Sequence, residues 1–84
     1  MERDIKAIIL MLSSQAMINL GIIPDPVSKE TILKLDKAEI FVELLNVLKL
    51  KTKNNLSNEE QNYIDDVYNN IVSVYKEKSN IKEA

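Results

Sequence analysis

The only glycine and both prolines of this chain fall inside one six-residue window, the GIIPDP of Gly21 to Pro26. Glycine interrupts regular structure by its backbone freedom, and proline by its fixed φ and missing N–H. One obligatory corner is therefore written into the chain, and long helices are permitted on either side of it. Before the corner, Ile5, Ile8, Ile9, Leu12, Ala16 and Leu20 recur at spacings of three and four, which predicts a helix over residues 3–20 with these side chains on one face. Gly21, just past the last periodic residue, suits the left-handed cap that ends a helix. Pro24 and Pro26 push Ile23 and Asp25 toward extended backbone, so residues 22–34 read as a stiff Pro-containing connector, with a short helical turn after Ser28.

A second helix is predicted over residues 35–50. Its main stripe is Ala38, Phe41, Leu44, Leu45 and Leu48, widened on one side by Ile40 and Val47. No good N-cap precedes Leu35, although Asp36 and Glu39 suit the positive end of the helix dipole. The stretch that follows, KTKNNLSNEEQ from Lys51 to Gln61, reads first as punctuation. Lys49, Lys51 and Lys53 sit where unpaired carbonyls favour cations, and Asn54 or Asn55 can take the left-handed conformation that ends a helix. Ser57 stands where an N-cap belongs, and Glu60, three residues on, completes a capping box. A third helix is predicted over residues 58–78, with Tyr63, Ile64, Val67, Ile71 and Val74 on one face, and residues 79–84 as a frayed tail. The expected architecture is all-α: a small up-and-down three-helix bundle formed by one domain, residues 1–84.

Several function classes are disfavoured by what is missing. With no Cys and no His, a disulfide framework, a thiolate metal site and the commonest general base are all excluded. Asp65 with Asn62 and Asn69 resembles a set of oxygen ligands, but helix N-terminal charge and a solvated face explain these residues as well. No catalytic, cofactor-binding or metal-binding residue is assigned, and the chain is expected not to be an enzyme. The net charge of −2 lacks a basic footprint. The alternative reading, a weakly nucleic-acid-associated protein using the basic loop Lys49 to Asn55, is disfavoured because Glu59 and Glu60 follow the loop and no aromatic platform lies inside it. The apolar run Ala7 to Leu12 is too short to span a bilayer, which takes ~20 residues, and its flanking charges do not suit a signal peptide. A cytoplasmic location without membrane association is expected.

The first helix carries more apolar surface than one face holds. Ala7, Leu10, Met11, Met17 and Ile18 lie roughly opposite the expected core stripe, with the small Ser14 among them. A helix that is apolar on both sides is normally covered on both sides. Ala7, Leu10, Met11, Ser14, Met17 and Ile18 are therefore the candidate interface, for a homodimer or higher homo-oligomer or for an unidentified protein partner.

Three stretches together resemble a family of short bacterial proteins classified only as a domain of unknown function: SSQAMINLGIIPDP (13–26), AEIFVELLNVLKLKT (38–52) and KTKNNLSNEE (51–60). That family reads approximately S-x-A, then LG-x-x-PDP, a leucine-rich helix, and KTKGNLTxEE before a final helix. Leu20, Gly21, Pro24, Asp25 and Pro26 match at the first joint, and Lys51, Thr52, Asn55, Leu56 and Glu60 at the second. Asn54 stands where the family has Gly, and Ser57 where it often has Thr; both substitutions keep turn and cap chemistry. The connector also lacks the family's polar cap before the second helix. The resemblance implies a small helical bundle and no assigned enzymatic activity, so the functional expectation is a non-catalytic helical interaction or self-association module.

Overall fold

In the computed structural model, which describes residues 5–83, the chain folds into three helices: α1 (Ile5–Asn19), α2 (Leu35–Lys51) and α3 (Asn58–Glu83). Arg3 and Asp4, the expected start of the first helix, lie outside the described residues, as does Ala84. Contacts at the helix ends define an up-down-up path. The end of α1 meets the start of α2 through an isolated antiparallel bridge between Leu20 and Leu33 and through the Lys34 N–H, which donates to the Asn19 carbonyl at 2.6 Å. The end of α2 meets α3 through Lys49 and Asp65, and the start of α1 meets the start of α3 through a Lys6–Glu59 ion pair.

Burial of one stripe from each helix holds the bundle together. Ile9, Ala16 and Leu20 interlock with Leu35, Ala38, Val42 and Leu45 and with Ile64 and Ile71. Ala16 and Ala38 are fully buried, and their small side chains permit close approach of α1 and α2. Phe41, Leu48, Tyr63, Val67 and Tyr75 close the margins of this core while staying partly exposed. Two residues expected on core faces are not there: Ile8 and Leu44 are exposed, and Val42 fills the place expected of Leu44. The reason is angular. Leu35, Ala38, Val42 and Leu45 follow one another at three, four and three residues and centre the buried arc of α2. Leu44 lies about 100° away from Leu45 at 3.6 residues per turn.

Both joints are built by local chemistry. Gly21 has φ +76°, and α1 closes in a Schellman motif: the Ile22 N–H donates to the Met17 carbonyl at 3.0 Å and the Gly21 N–H to the Ile18 carbonyl at 3.1 Å. The turn in the connector comes earlier than expected, at Asp25 to Lys29 rather than after Ser28. Asp25 Oδ1 accepts from the N–H groups of Val27 (2.8 Å) and Ser28 (3.1 Å), an Asx arrangement that Pro26 favours by presetting φ. Lys29 closes this turn at φ +67°, and its N–H donates to the Asp25 carbonyl at 2.8 Å. These two donors hold the Asp25 carboxyl below the usual carboxylate range, the Ser28 N–H contributing most.

No side chain caps the start of α2 at Lys34. Burial of Leu35 and the backbone bond from Lys34 to Asn19 fix that start instead. At the second joint Thr52 ends α2, its N–H and hydroxyl both donating to the Leu48 carbonyl, at 3.0 and 2.7 Å. Asn54 adopts φ +70°. Ser57 and Glu60 then form the reciprocal capping box: the Ser57 N–H donates to Glu60 Oε1 at 2.9 Å and the Glu60 N–H to Ser57 Oγ at 3.2 Å. Helix α3 continues to Glu83, beyond the end expected at residue 78. No glycine or proline follows Lys78 to stop it.

Candidate interaction surface

What α1 and α2 leave uncovered is set by where α3 docks. On α1, the flank carrying Lys6 and Met17 is the one turned toward α3: Lys6 pairs with Glu59, and Leu10, Ser14 and Met17 line a shallow apolar cavity of ≈ 240 Å³ with Val67 and Ile71. On α2, Lys49 marks the flank facing α3, since its ammonium lies 3.4 Å from Asp65 and 5.0 Å from the centre of the Tyr68 ring. Residues on the opposite flanks of both helices are thus turned away from α3.

Those opposite flanks are apolar. Ile40, Leu44 and Val47 recur at four and three residues, forming one stripe about half a turn around α2 from Lys49. They are 57%, 44% and 48% exposed. On α1 the flank away from α3 carries Ile8 and Met11, 46% and 59% exposed. Helices α1 and α2 are antiparallel neighbours, and each carries exposed apolar side chains on the flank away from α3. Scattered exposed hydrophobic residues are ordinary on a protein surface, but Ile40, Leu44 and Val47 form a row at helical spacing along one helix. Its ends are charged: Asp36 lies four residues before Ile40, and Lys51 four after Val47.

The six α1 residues singled out from the sequence divide between two flanks. Ala7, Leu10 and Met11 are exposed, whereas Ser14, Met17 and Ile18 are half-buried. Leu10, Ser14 and Met17 border the α1–α3 cavity, and Met17 packs against the core. Met11 lies exposed on the flank turned away from that cavity. The exposed row on α2, Ile40, Leu44 and Val47, was not among the sequence candidates. The available signal was that α2 carries two apolar stripes rather than one broad stripe. Gly21, Asp25, Asn54, Ser57 and Glu60 make the caps and corners described above, Pro24 precedes the connector turn and Pro26 lies within it, and the Asn55 N–H bonds back to the Thr52 carbonyl at 2.9 Å.

The basic loop is partly committed within the fold. Lys49 is engaged by Asp65 and Tyr68, while Lys51 and Lys53 are exposed. Asp65 also accepts from the Gln61 amide at 3.1 Å, so its carboxylate is occupied by two partners. Among the described residues no helix is long and apolar enough to cross a membrane. Comparison with curated proteins and with solved structures gives no match. Residues 2–77 match the family described as Domain of unknown function (DUF1844), which accounts for both joints and all but the end of α3, and the chain belongs to that family.

Proposed function

We propose that this protein is a non-catalytic helical module that associates with a second copy of itself through the outer face of α1 and α2. The observation that carries this reading is the row Ile40, Leu44 and Val47 beside Ile8 and Met11, large apolar side chains held in order on rigid helices and left partly in water. Covering such a row is favourable by roughly 25 cal/mol per Å² of apolar surface, and the helices that present it need not reorganise. Lack of His and Cys and the commitment of Asp65 to Lys49 and Gln61 support a binding rather than a catalytic role.

The test is the solution mass by light scattering across a concentration series, for the wild type and for Leu44→Asp. The chain has a mass of 9.6 kDa. A wild-type mass of twice that value, falling to one chain in the variant while its helical circular dichroism is kept, is the expected outcome. A wild-type protein that stays at the mass of one chain at every concentration overturns the reading.

A further inference from the structure

The stripe on α2 reads nearly the same from either end. Asp36, Ile40, Leu44, Val47 and Lys51 follow at four, four, three and four residues, with an acid at the N-terminal end, a base at the C-terminal end and leucine near the middle. All five side chains are exposed, and the stripe is ~22 Å long at 1.5 Å per residue. We infer that two copies pack α2 against α2 antiparallel about a two-fold axis near Leu44, so that Ile40 meets the partner's Val47 and Asp36 meets the partner's Lys51.

This inference rests on the self-association proposed above and specifies its geometry. A two-fold contact uses the same patch on both copies, so every pairing occurs twice. Antiparallel alignment in this register brings Ile40 to the partner's Val47 and Asp36 to the partner's Lys51 in both halves. Parallel alignment in register sets Asp36 beside the partner's Asp36 and Lys51 beside the partner's Lys51, two like-charge contacts at the ends of one apolar seam. Directly opposed like charges oppose association. The helix dipoles favour the same choice, since antiparallel packing puts each positive N-terminus beside a negative C-terminus. Ile8 and Met11 of α1 then flank the central seam and widen the contact.

Because the chain contains no cysteine, single introduced thiols report the register without background. Leu44→Cys, Ile40→Cys and Val47→Cys are each oxidised alone, and the last two also as a mixture, with the mass of the unoxidised proteins followed in parallel by light scattering. Antiparallel packing gives a cross-linked dimer for Leu44→Cys alone and for the Ile40→Cys and Val47→Cys mixture. It gives little for either of the last two alone, whose like positions stand ~10 Å apart along the seam. Cross-linking of Ile40→Cys alone and Val47→Cys alone marks a parallel pair and overturns the register. So does a dimeric mass with no cross-link at any of the three sites. A monomeric mass for the wild type instead overturns the self-association reading itself, so the two failures are distinguishable. In an independent arm, Asp36→Lys or Lys51→Asp alone weakens association roughly tenfold, and the double exchange restores it. Double exchange as weak as the two single changes combined overturns the pairing.

Discussion

Helix α3 and the α1–α2 pair solve the same packing problem differently. Over residues 58–80 α3 exposes no large aliphatic side chain: Ile64 and Ile71 are buried, Val67, Val72 and Val74 are half-covered, and Asp66, Asn69 and Ser73 face water. Ile8, Leu10 and Met11 on α1, and Ile40, Leu44, Val47 and Leu50 on α2, remain exposed. Chain length does not explain the contrast, because both patterns occur within one bundle around one core. A sequence that makes one helix polar on its outer side can do so on all three, and the exposed row Ile40, Leu44 and Val47 is the contrast on which the proposed self-association rests.

The sharpest way to break this comparison is to alter neighbouring leucines on α2. Leu45→Ala, at a fully buried position, is expected to cost about 2–5 kcal/mol in urea denaturation at every protein concentration. Leu44→Ala is expected instead to remove the dependence of the melting temperature on protein concentration, because the lost contact lies between copies. If Leu44→Ala costs as much as Leu45→Ala in dilute protein, the two faces are not distinct. Next in size, Gly21→Ala forces a Cβ into φ +76°, at about 1–2 kcal/mol. The space there is adequate, since the added atom would sit 3.5 Å from the Leu33 nitrogen, so the cost is conformational. It should lower stability while leaving the solution mass unchanged.

Ser57→Ala removes half of the capping box and is expected to cost ~1 kcal/mol in the same denaturation experiment. This change weakens α3 and not the shared face, and dimer mass read alongside it separates the two. The smallest effect is expected at Asp25. Its folded carboxyl titrates below its unfolded value, so its contribution is present above the unfolded pKa and is lost as pH falls through the folded one. Asp25→Asn should lower stability slightly near neutrality, where the carboxylate contributes, and the variant and wild type should converge as pH falls through the folded pKa, which flattens the curve on the acid side.

The joints were the most legible part of the sequence. Gly21, Asn54, Ser57 and Glu60 act through their own backbone and near neighbours, so residue type and spacing are enough to identify them. Even there, the Asx turn at Asp25 came earlier than expected, and Thr52, which closes α2, was not anticipated. The core stripes of α1 and α3 were legible for a similar reason, since periodicity reports a face. Helix α2 is the least legible of the three. Its apolar residues cover most of the circumference, and periodicity alone does not say which arc a neighbour will cover. That choice depends on where α3 docks, a tertiary fact fixed in part by Lys49 reaching Asp65 and Tyr68. Asn19 illustrates the same limit. As a polar residue it interrupts an apolar helix, yet it is buried, its amide donating to the Gln15 carbonyl at 2.8 Å and its own carbonyl receiving the Lys34 N–H.

The length of α3 has a kinetic consequence for exchange with solvent. Its 26 residues span ~39 Å, the full long dimension of the molecule, whereas the 15 residues of α1 span ~22 Å. Over residues 58–80, Tyr75 is the last apolar α3 side chain packed on the core, and the helix runs eight residues further to Glu83. Amide hydrogens there exchange through local opening, while those around Ile64 and Ile71 wait for the whole domain to open. Exchange at the end of α3 is therefore expected to keep its rate when association or core stability is changed elsewhere.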